Sequence, residues 1–449
     1  MCGIAGIFNL NGNSVSPVIL KKMTESIAHR GPDGEGHYVD GYVGFGHRRL
    51  SIIDLSAAGN QPMISLNKEI VLSYNGEIYN FRELRVELER LGHQFHSHTD
   101  SEVVLNAWVE WGKDCIHRFN GMFAFSIWDK KRKKIHLVRD RYGIKPLYYG
   151  FWDNILIFSS EQKAIFQHPI AKKVIDEKAL IEYFTFQNIF TDRTLYKNVK
   201  IIPPASIATI CFGKKEKLNI HQYWDYHFEE PRKTTNIIEY REELDRLLRQ
   251  AVSRQLITDV ELGSYLSGGM DSGALTSLAS RELPYIKTFT CGFDLSSASG
   301  LELAFDEREK AEAMSALYKT EHYEMVLKAG DMERCLPKLA YHLEEPRVGQ
   351  SYPNYYVAQL ASKFVKVVLS GTGGDELFGG YPWRYYRAVN NNNFEHYIDQ
   401  YYVFWQRLIS NEETKEIFKP IWKNVKDVCT RDIFRNVFLN HKNELNEPQ

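Results

Sequence analysis

The second half of the chain alternates short apolar runs with segments of helical periodicity. The helical pattern is clearest over Asp306–Tyr318, which lies between two of the apolar runs. The runs read as strands at Glu261–Leu266, Lys287–Cys291, His322–Val326 and Lys366–Ser370. Such alternation is typical of a mainly parallel sheet, which gathers its ligands beyond the carboxyl ends of the strands. We therefore predict an α/β domain here.

The first half follows a different pattern. Over Met1–Phe8, small residues alternate with branched or aromatic ones, as in a strand packed closely against other backbone. Further apolar runs predict strands at Ile155–Ser159 and Ala205–Cys211. We expect the nearby aromatic residues to lie in the core: Tyr183, Phe184, Phe186 and Trp224.

A polar segment, Phe228–Asn236, separates the two halves and is predicted to be a linker. A helix should follow from about Ile237 to Leu256. Its apolar face would be formed by Leu244, Leu247, Leu248, Ala251 and Val252. Near the end of the chain, helix-like stretches cover Phe394–Ile409 and Asn424–Leu439. The aromatic cluster Tyr401–Trp405 is expected to be exposed or to cover a partner.

Composition narrows the class of protein. A chain of 449 residues suggests two or three domains, and its hydrophobic content of 43% is ordinary for a globular protein. The net charge of -1 gives no general attraction to nucleic acid or to an acidic membrane. No apolar stretch approaches the ~20 residues of a membrane span, and the six cysteines lack metal or C-x-x-C spacing. We predict a cytoplasmic protein without nucleic-acid or membrane partners.

One loop carries a phosphate-binding pattern. It joins the apolar run Val260–Leu266 to a helix-like stretch at Ala274–Ser280, and its residues are Ser267, Gly268, Gly269, Met270, Asp271 and Ser272. Free backbone N–H groups and a helix N-terminus would face an anion there, while the Asp271 carboxylate suggests a bridging Mg²⁺. The loop resembles the SGGxDS pyrophosphate loop (PP-loop) of ATP pyrophosphatases. An ordinary tight turn is the alternative.

Cys2 is a candidate nucleophile. Removal of the initiator Met1 would leave Cys2 with a free α-amine, whose reference pKa of about 7.7–8.0 allows it to take the thiol proton near neutral pH. A nucleophile and its base would then belong to one residue. The alternative is a buried structural cysteine, which is the commoner fate of an isolated cysteine.

Six further segments of the first half, taken together with Cys2, indicate what kind of domain Cys2 belongs to. With it, six segments in order resemble the class II glutamine amidotransferase domain: His29–Gly34, Gly46–Asp54, Tyr74–Asn80, His98–Glu102, Gly121–Phe125 and Arg139–Gly143. Joined to the PP-loop and to Ser370–Tyr381, they resemble the glutamine-hydrolysing asparagine synthetase family over roughly residues 2–387.

The resemblance implies a fold and a reaction. An αββα Ntn-hydrolase sandwich of two antiparallel sheets would occupy residues 2–226. A Rossmann-like adenine nucleotide alpha hydrolase (PP-loop) domain would occupy 237–449, with its C-terminal part incomplete. The implied enzyme is an ATP-dependent carbon–nitrogen ligase. In the implied reaction, ammonia released from glutamine at Cys2 would aminate a β-aspartyl-AMP made from aspartate and ATP, with release of AMP and pyrophosphate. Its partners would be small molecules, and a homodimer is compatible with the resemblance.

In the amidotransferase domain, Arg49 suits the glutamine carboxylate, because guanidinium grips a carboxylate with two parallel hydrogen bonds. Asp100 suits the ammonium, and Glu77 and the backbone near Ile53 would add contacts.

Attack by Cys2 puts negative charge on the amide oxygen, which needs fixed donors. The resemblance gives that role to the Asn75 side chain and the Gly76 N–H. Without this context, Asn75-Gly76 would be interpreted as a type I′ hairpin turn.

In the second domain, the resemblance places ATP contacts at two loops and one strand end: Leu266, Ser267, Gly268, Gly269, Asp271, Ser272, Cys291, Ser370 and Gly371. Asp271 and Asp375 would hold Mg²⁺.

The sequence also departs from the family. Thr372 stands where the family usually has an acidic residue, and neither the later arginine- and proline-containing element nor the late lysine loop is found. Two alternatives therefore stay open. One is an amidotransferase for another carboxylate, such as a sugar acid or a secondary metabolite. The other is a glutaminase whose second domain is degenerate.

Overall fold

A computed structural model describes residues 1–213, 218–227, 236–296, 306–346, 351–388 and 393–442. The chain divides into two compact units, Met1–Leu180 with Ile189–His227 and Ile181–Asn188 with Phe228–Gln449. Except for Asn236, the predicted linker Phe228–Asn236 lies outside the described residues. Within the described ranges, no helix is both long and apolar enough to span a bilayer.

The first unit contains two six-stranded antiparallel sheets. Its strands are β1 (Gly3–Asn9), β2 (Gly34–Asp40), β3 (Val43–Arg49), β4 (Met63–Ile64), β5 (Ile70–Ile78), β6 (Gly121–Asp129), β7 (Lys134–Arg139), β8 (Tyr148–Trp152), β9 (Ile155–Ser159), β10 (Val199–Ile201), β11 (Ser206–Cys211) and β12 (Asn219–Gln222). The strand orders are β10-β8-β9-β1-β3-β2 and β12-β11-β7-β6-β5-β4.

The two sheets face each other across a shared core. Ile4 and Phe45 of the first sheet pack with Val71 and Leu137 of the second. The helices of this unit are α1 (Pro17–Ser26), α2 (Phe81–Arg90), α3 (Asp100–Trp111), α4 (Cys115–Arg118), α5 (Gln162–Ile165) and α6 (Glu177–Phe186), whose later residues belong to the second unit. Because α1 packs on β1 and β3 while α3 packs on β5, the layers form an αββα sandwich, as predicted.

The second unit is built on a parallel sheet of β13 (Leu262–Tyr265), β14 (Lys287–Phe293), β15 (Glu321–Leu327) and β16 (Val367–Leu369). Its helices are α7 (Ile237–Gln255), α8 (Met270–Glu282), α9 (Arg308–Tyr318), α10 (Asp331–Leu343), α11 (Ser351–Ala361), α12 (Gly374–Phe378), α13 (Pro382–Tyr385), α14 (Phe394–Trp405), α15 (Asn411–Ile417), α16 (Trp422–Val425) and α17 (Thr430–Val437). One face of the sheet packs on α7 and α8, and the other on α11.

The strand order of this sheet locates its binding crevice. The order is β15-β14-β13-β16. Strands β14 and β15 are added on one side of β13 and β16 on the other, so the strand order reverses between β13 and β16. In open parallel sheets, ligands bind beyond the carboxyl ends of the strands at such a reversal. The PP-loop follows β13, and the loop that begins at Ser370 follows β16.

Several local features differ in detail from the expectations. Helix α8 contains the predicted stretch Ala274–Ser280 but begins earlier, at Met270, and the Gly273 N–H donates to the Gly269 carbonyl (3.0 Å). The apolar face predicted for α7 is largely exposed at Leu244 and Leu247, whereas Val252 is buried. The helix predicted over Asn424–Leu439 is interrupted between α16 and α17.

The aromatic expectations were mixed. Tyr183 and Phe186 are buried as predicted, but Phe184 is 36% exposed and Trp224 is half-buried. In the cluster expected to be exposed, Tyr401 and Tyr402 are buried because Phe434 of α17 packs against both rings.

Candidate active sites

A cavity in the first unit gathers every residue that was predicted to bind or hydrolyse glutamine. We call it the Cys2 cavity. The predicted site residues that line it are Cys2, Arg49, Ile53, Asn75, Gly76, Glu77 and Asp100. They come from the segment before β1, from β3, β5 and α3, and from the loop after β3. The sandwich fold thus brings together residues that are far apart in sequence.

Cys2 lies just before β1 and is fixed through both its sulfur and its carbonyl. The Leu50 N–H donates to Sγ (3.3 Å), and Arg30 Nε donates to the Cys2 carbonyl (2.9 Å). Burial raises the pKa of the Cys2 thiol, while the Leu50 hydrogen bond acts in the opposite direction. A nearby base or cation is therefore needed to form the thiolate.

Arg30 belongs to a buried ionic cluster. Its Nη1 donates to Glu161 (2.9 Å), and Glu161 also pairs with His29 and Lys163. Burial raises the pKa of Glu161, but the hydrogen bonds and charges of these three neighbours outweigh it and lower the pKa overall. The cluster holds the Arg30 guanidinium against the Cys2 backbone. Arg30 lies in the segment His29–Gly34, and the sequence alone indicated no role for it.

Asn75 and Gly76 lie inside β5, paired with Ala124 and Phe123 of β6. The hairpin-turn alternative is therefore wrong. The Asn75 Nδ2 is buried and has no hydrogen-bond partner among the described residues. Since an unpaired buried donor costs free energy, this amide is suited to a ligand oxygen.

Gly76 is required sterically. A Cβ there would overlap the Met122 carbonyl and approach Phe123 Cβ to 2.7 Å. Only glycine lets β5 lie this close to β6 beside the Cys2 cavity.

Arg49 ends β3 and is anchored by carbonyls of the following loop. Its Nη1 donates to the Ser56 carbonyl (2.6 Å) and its Nη2 to the Asp54 carbonyl. Gly59 packs directly against the guanidinium, whose Cζ would lie 2.6 Å from a Cβ at that position. These contacts fix the guanidinium in place before any ligand binds. Arg49 as a whole is buried, with 6% of its surface exposed.

Asp100 begins α3 and accepts hydrogen bonds from Tyr74 Oη (2.6 Å) and the Ile78 N–H (3.0 Å). Burial raises the pKa of Asp100 to about 6. Burial, followed by the charge of Asp100, raises the pKa of Glu77 well above its ordinary range. Two buried carboxylates in one cavity favour a cationic ligand group between them.

Sequence reasoning missed other lining residues. Gln61, Thr99 and Lys145 also line the Cys2 cavity, together with Met1. Lys145 lies two residues beyond the segment Arg139–Gly143, and neither its charge nor its position in the sequence distinguished it from a surface lysine.

A cavity in the second unit, which we call the PP-loop cavity, lies at the reversal point of the parallel sheet. With a volume of about 1110 Å³, it is large for a ligand site. The residues predicted to contact ATP or Mg²⁺ that line this cavity are Leu266, Ser267, Gly269, Asp271, Ser272, Cys291, Ser370, Gly371 and Asp375. Gly268 does not line it; this residue has φ +75° and packs against Lys310 and Ala311 of α9.

The two loops of this cavity approach through glycines. A Cβ on Gly371 would lie 2.7 Å from the Ser272 N, and one on Gly374 would overlap the Asp271 carboxylate. Asp271, in the first turn of α8, therefore lies directly beside the start of α12, which carries Asp375.

These two carboxylates fit Mg²⁺ better than a metal held by protein alone. In the described part of the chain, no group of three or more His, Cys, Asp or Glu side chains could hold an ion. Mg²⁺ is commonly bound by one or two carboxylates, with waters and substrate phosphates completing its shell.

Two further lining residues of the PP-loop cavity bear on its chemistry. Thr372 Oγ1 and Ser370 Oγ form a hydrogen bond (2.9 Å), so a hydroxyl pair stands where the resemblance predicted an acidic group. Glu307, missed from the sequence, brings a carboxylate to the same cavity, and burial raises its pKa.

Comparison with known proteins matches both units. The glutamine amidotransferase domain model matches residues 1–224, and the asparagine synthase model matches residues 243–447. The boundaries 2–226 and 237–449 remain predictions.

Curated relatives match along most of the chain. Asparagine synthetase [glutamine-hydrolyzing] 1 of Bacillus subtilis is 37% identical over 387 residues, covering 85% of this chain and 59% of its own length. Asparagine synthetase [glutamine-hydrolyzing] 3 of the same organism is 33% identical, covering 94% of this chain and 68% of its own. A relative from Methanocaldococcus jannaschii is 36% identical, covering 85% and 76%.

The chain thus spans about three-fifths to three-quarters of the length of these relatives. The matches favour the asparagine synthetase interpretation over the two alternatives. The chain belongs to the glutamine-hydrolysing asparagine synthetase family.

Proposed function

We propose that this protein is a glutamine-dependent asparagine synthetase. The observation that carries the proposal is the Cys2 cavity, in which the nucleophile lies with an anchored guanidinium and two buried carboxylates. The cavity also holds an amide donor that has no partner among the described residues. Each of these groups complements one part of glutamine. The PP-loop cavity supports the second half of the reaction.

In the proposed first step, glutamine binds with its carboxylate on Arg49 and its ammonium between Asp100 and Glu77. The Cys2 amine, freed by removal of Met1, takes the thiol proton, and the sulfur attacks the side-chain amide carbon. Asn75 Nδ2 and the Gly76 N–H stabilise the resulting oxyanion. Ammonia leaves with the proton, and water then hydrolyses the γ-glutamyl thioester to glutamate.

In the proposed second step, ATP binds across the PP-loop and the Ser370 loop, with its phosphates toward the N-terminus of α8. A β-carboxylate oxygen of aspartate attacks the α-phosphorus, and pyrophosphate leaves. Ammonia then attacks the acyl carbon, and AMP leaves with the former carboxylate oxygen. Mg²⁺ at Asp271 and Asp375 would neutralise phosphate charge.

The proposal includes small-molecule partners and a cytoplasmic location. The six cysteines are free, which suits a reducing compartment. The proposal also includes a homodimer.

The two half-reactions can be tested separately. Glutamate release should require Cys2, whereas aspartate-dependent exchange of labelled pyrophosphate into ATP should not. Cys2→Ala is therefore expected to abolish glutamate release and to retain exchange. If wild-type protein shows no aspartate-dependent exchange at saturating ATP, the synthetase assignment fails.

A further inference from the structure

Lys145 is a buried cation in the Cys2 cavity with no role in the proposed reaction. The residue is 8% exposed and lines the cavity together with Cys2, Glu77 and Met1. Its Nζ lies 3.2 Å from Met1 Sδ. Burying an ammonium is costly, so a group at this place needs a compensating function or partner.

Several hydrogen bonds hold the backbone of Lys145 and of its neighbour in place. Asp140 accepts hydrogen bonds from the Lys145 N–H (3.0 Å) and the Ile144 N–H (3.0 Å). On the other side, Arg139 Nε donates to the Lys145 carbonyl (3.0 Å), and its Nη1 donates to the Ile202 carbonyl (2.6 Å). Both peptide groups of Lys145 are thus fixed from the protein interior.

Arg139 and Gly143 fix the shape of the turn that places Lys145 in the Cys2 cavity. Gly143 has φ +65°, and a Cβ there would lie 2.9 Å from the Arg139 guanidinium carbon. The segment from Arg139 to Lys145 is therefore a rigid turn with the lysine at its end.

The charges around Lys145 come from several elements. They are Glu77 on β5, Arg30 in the short turn Ala28–Arg30, Asp140 in the same turn as the lysine, and the Cys2 thiol and chain terminus at β1. Asp100 on α3 also acts on Cys2. Burial lowers the pKa of Lys145, and Glu77 opposes that shift.

The terminal amine already responds to this environment. Burial lowers the pKa of the Met1 amine to about 6; the charges of Cys2 and Glu77 oppose this shift, and the charges of Arg30 and Lys145 add to it. After Met1 is removed, the new amine belongs to Cys2 itself, the residue directly before β1.

We propose that Lys145 is an electrostatic positioning residue of the glutaminase site, whose ammonium keeps the Cys2 amine unprotonated and favours the Cys2 thiolate. The inference rests on the proposed glutaminase function. A neighbouring cation disfavours a protonated amine and favours a thiolate. Loss of the charge should therefore raise the pH at which Cys2 becomes reactive, through both groups at once.

The test uses Met-processed protein and the variants Lys145→Met and Lys145→Arg, with Lys200→Met as a surface control. Lys200 pairs with Asp192, is half exposed, and is not one of the residues that line the Cys2 cavity. Cys2 reactivity is followed as the rate of iodoacetamide labelling of the N-terminal peptide against pH, quantified by mass spectrometry. Glutaminase kcat/KM is measured over the same pH range.

The labelling midpoint and the acid limb of kcat/KM should both move up by about one pH unit in Lys145→Met. Lys145→Arg should restore them, and Lys200→Met should match wild type. If both profiles of Lys145→Met coincide with wild type, or if Lys145→Arg shifts as far as Lys145→Met, the inference is wrong. Lys145→Gln provides a second neutral variant if Lys145→Met does not fold.

The labelling profile separates this inference from the proposed function. If wild type hydrolyses no glutamine but its labelling midpoint still depends on Lys145, the proposed function fails and the electrostatic role stands. If wild type hydrolyses glutamine and the midpoint does not depend on Lys145, only the role of Lys145 fails.

Discussion

Asn75 and Cys2 line one cavity, and the buried Nδ2 of Asn75 has no hydrogen-bond partner among the residues that the structure describes. Within the described ranges, this side-chain donor is left unpaired although the backbone of β5 is paired with β6 on both sides of Asn75. An unpaired buried donor lowers stability. A ligand oxygen that carries developing negative charge would satisfy the donor and turn that cost into transition-state stabilisation.

Asn75→Ala should therefore lower kcat for glutamine hydrolysis by about 10²- to 10³-fold. Its KM for glutamine should change little, because Arg49 and Asp100 would still hold the amino-acid end. Steady-state glutamate release is the measurement. Asn106→Ala is the matched control, since Asn106 is a buried asparagine that donates to the Gln94 carbonyl outside the Cys2 cavity. Equal losses in both variants would show a general effect of truncation.

Gly59→Ala should displace the Arg49 guanidinium. A Cβ at Gly59 would lie 2.6 Å from Arg49 Cζ and 2.8 Å from Thr99 Cγ2. Losing a charge-assisted hydrogen bond to the substrate costs about 1.5–3 kcal/mol, so the KM for glutamine should rise roughly 10- to 100-fold. Gly34→Ala is the control, because its nearest neighbours lie at an ordinary 3.7 Å. An unchanged KM in Gly59→Ala would argue against Arg49 as the carboxylate ligand.

Glutamine binding should weaken as pH falls through about 6. Because burial raises the pKa of Asp100 to about 6, the empty site takes up a proton there, and a neutral carboxyl cannot pair with an ammonium. Below this value, Kd should rise by up to about tenfold per pH unit. Calorimetry on Cys2→Ala measures binding without chemistry or thiol titration. A Kd that stays constant between pH 7.5 and 5 would contradict the assignment of Asp100.

Gly371→Ala should disable the second unit alone. The added Cβ would lie 2.7 Å from the Ser272 N and would separate the PP-loop from the Ser370 loop. A misplacement of about 1 Å can cost on the order of 100-fold in rate, and we expect a loss of that size in ATP–pyrophosphate exchange. Glutamate release from the same sample is the internal control. Parallel loss of both activities would instead indicate global unfolding.

Much of this arrangement could be predicted from the sequence, because strong local patterns specified it. The alternation of strands and helices predicted the parallel sheet, and the PP-loop predicted one end of its binding crevice. The scattered segments around Arg49, Asn75 and Asp100 converge on Cys2 as their resemblance to one family implied.

Other features depend on long-range packing and left no local signal. Asn75-Gly76 has the composition of a turn but lies within a strand, because this part of β5 is paired with β6. Lys145 resembles a surface lysine until Asp140 and Arg139 fix it in the interior. Tyr401 and Tyr402 were expected on the surface, but α17 buries them with Phe434.

The most direct test of the account is a product assay with glutamine labelled with ¹⁵N at its side-chain amide. Met-processed protein would receive this glutamine, aspartate, ATP and Mg²⁺, and the products would be quantified by mass spectrometry. We predict ¹⁵N-labelled asparagine, AMP and pyrophosphate in equal amounts, with at least as much glutamate. Glutamate and labelled ammonia without AMP or asparagine would contradict the account and leave only a glutaminase.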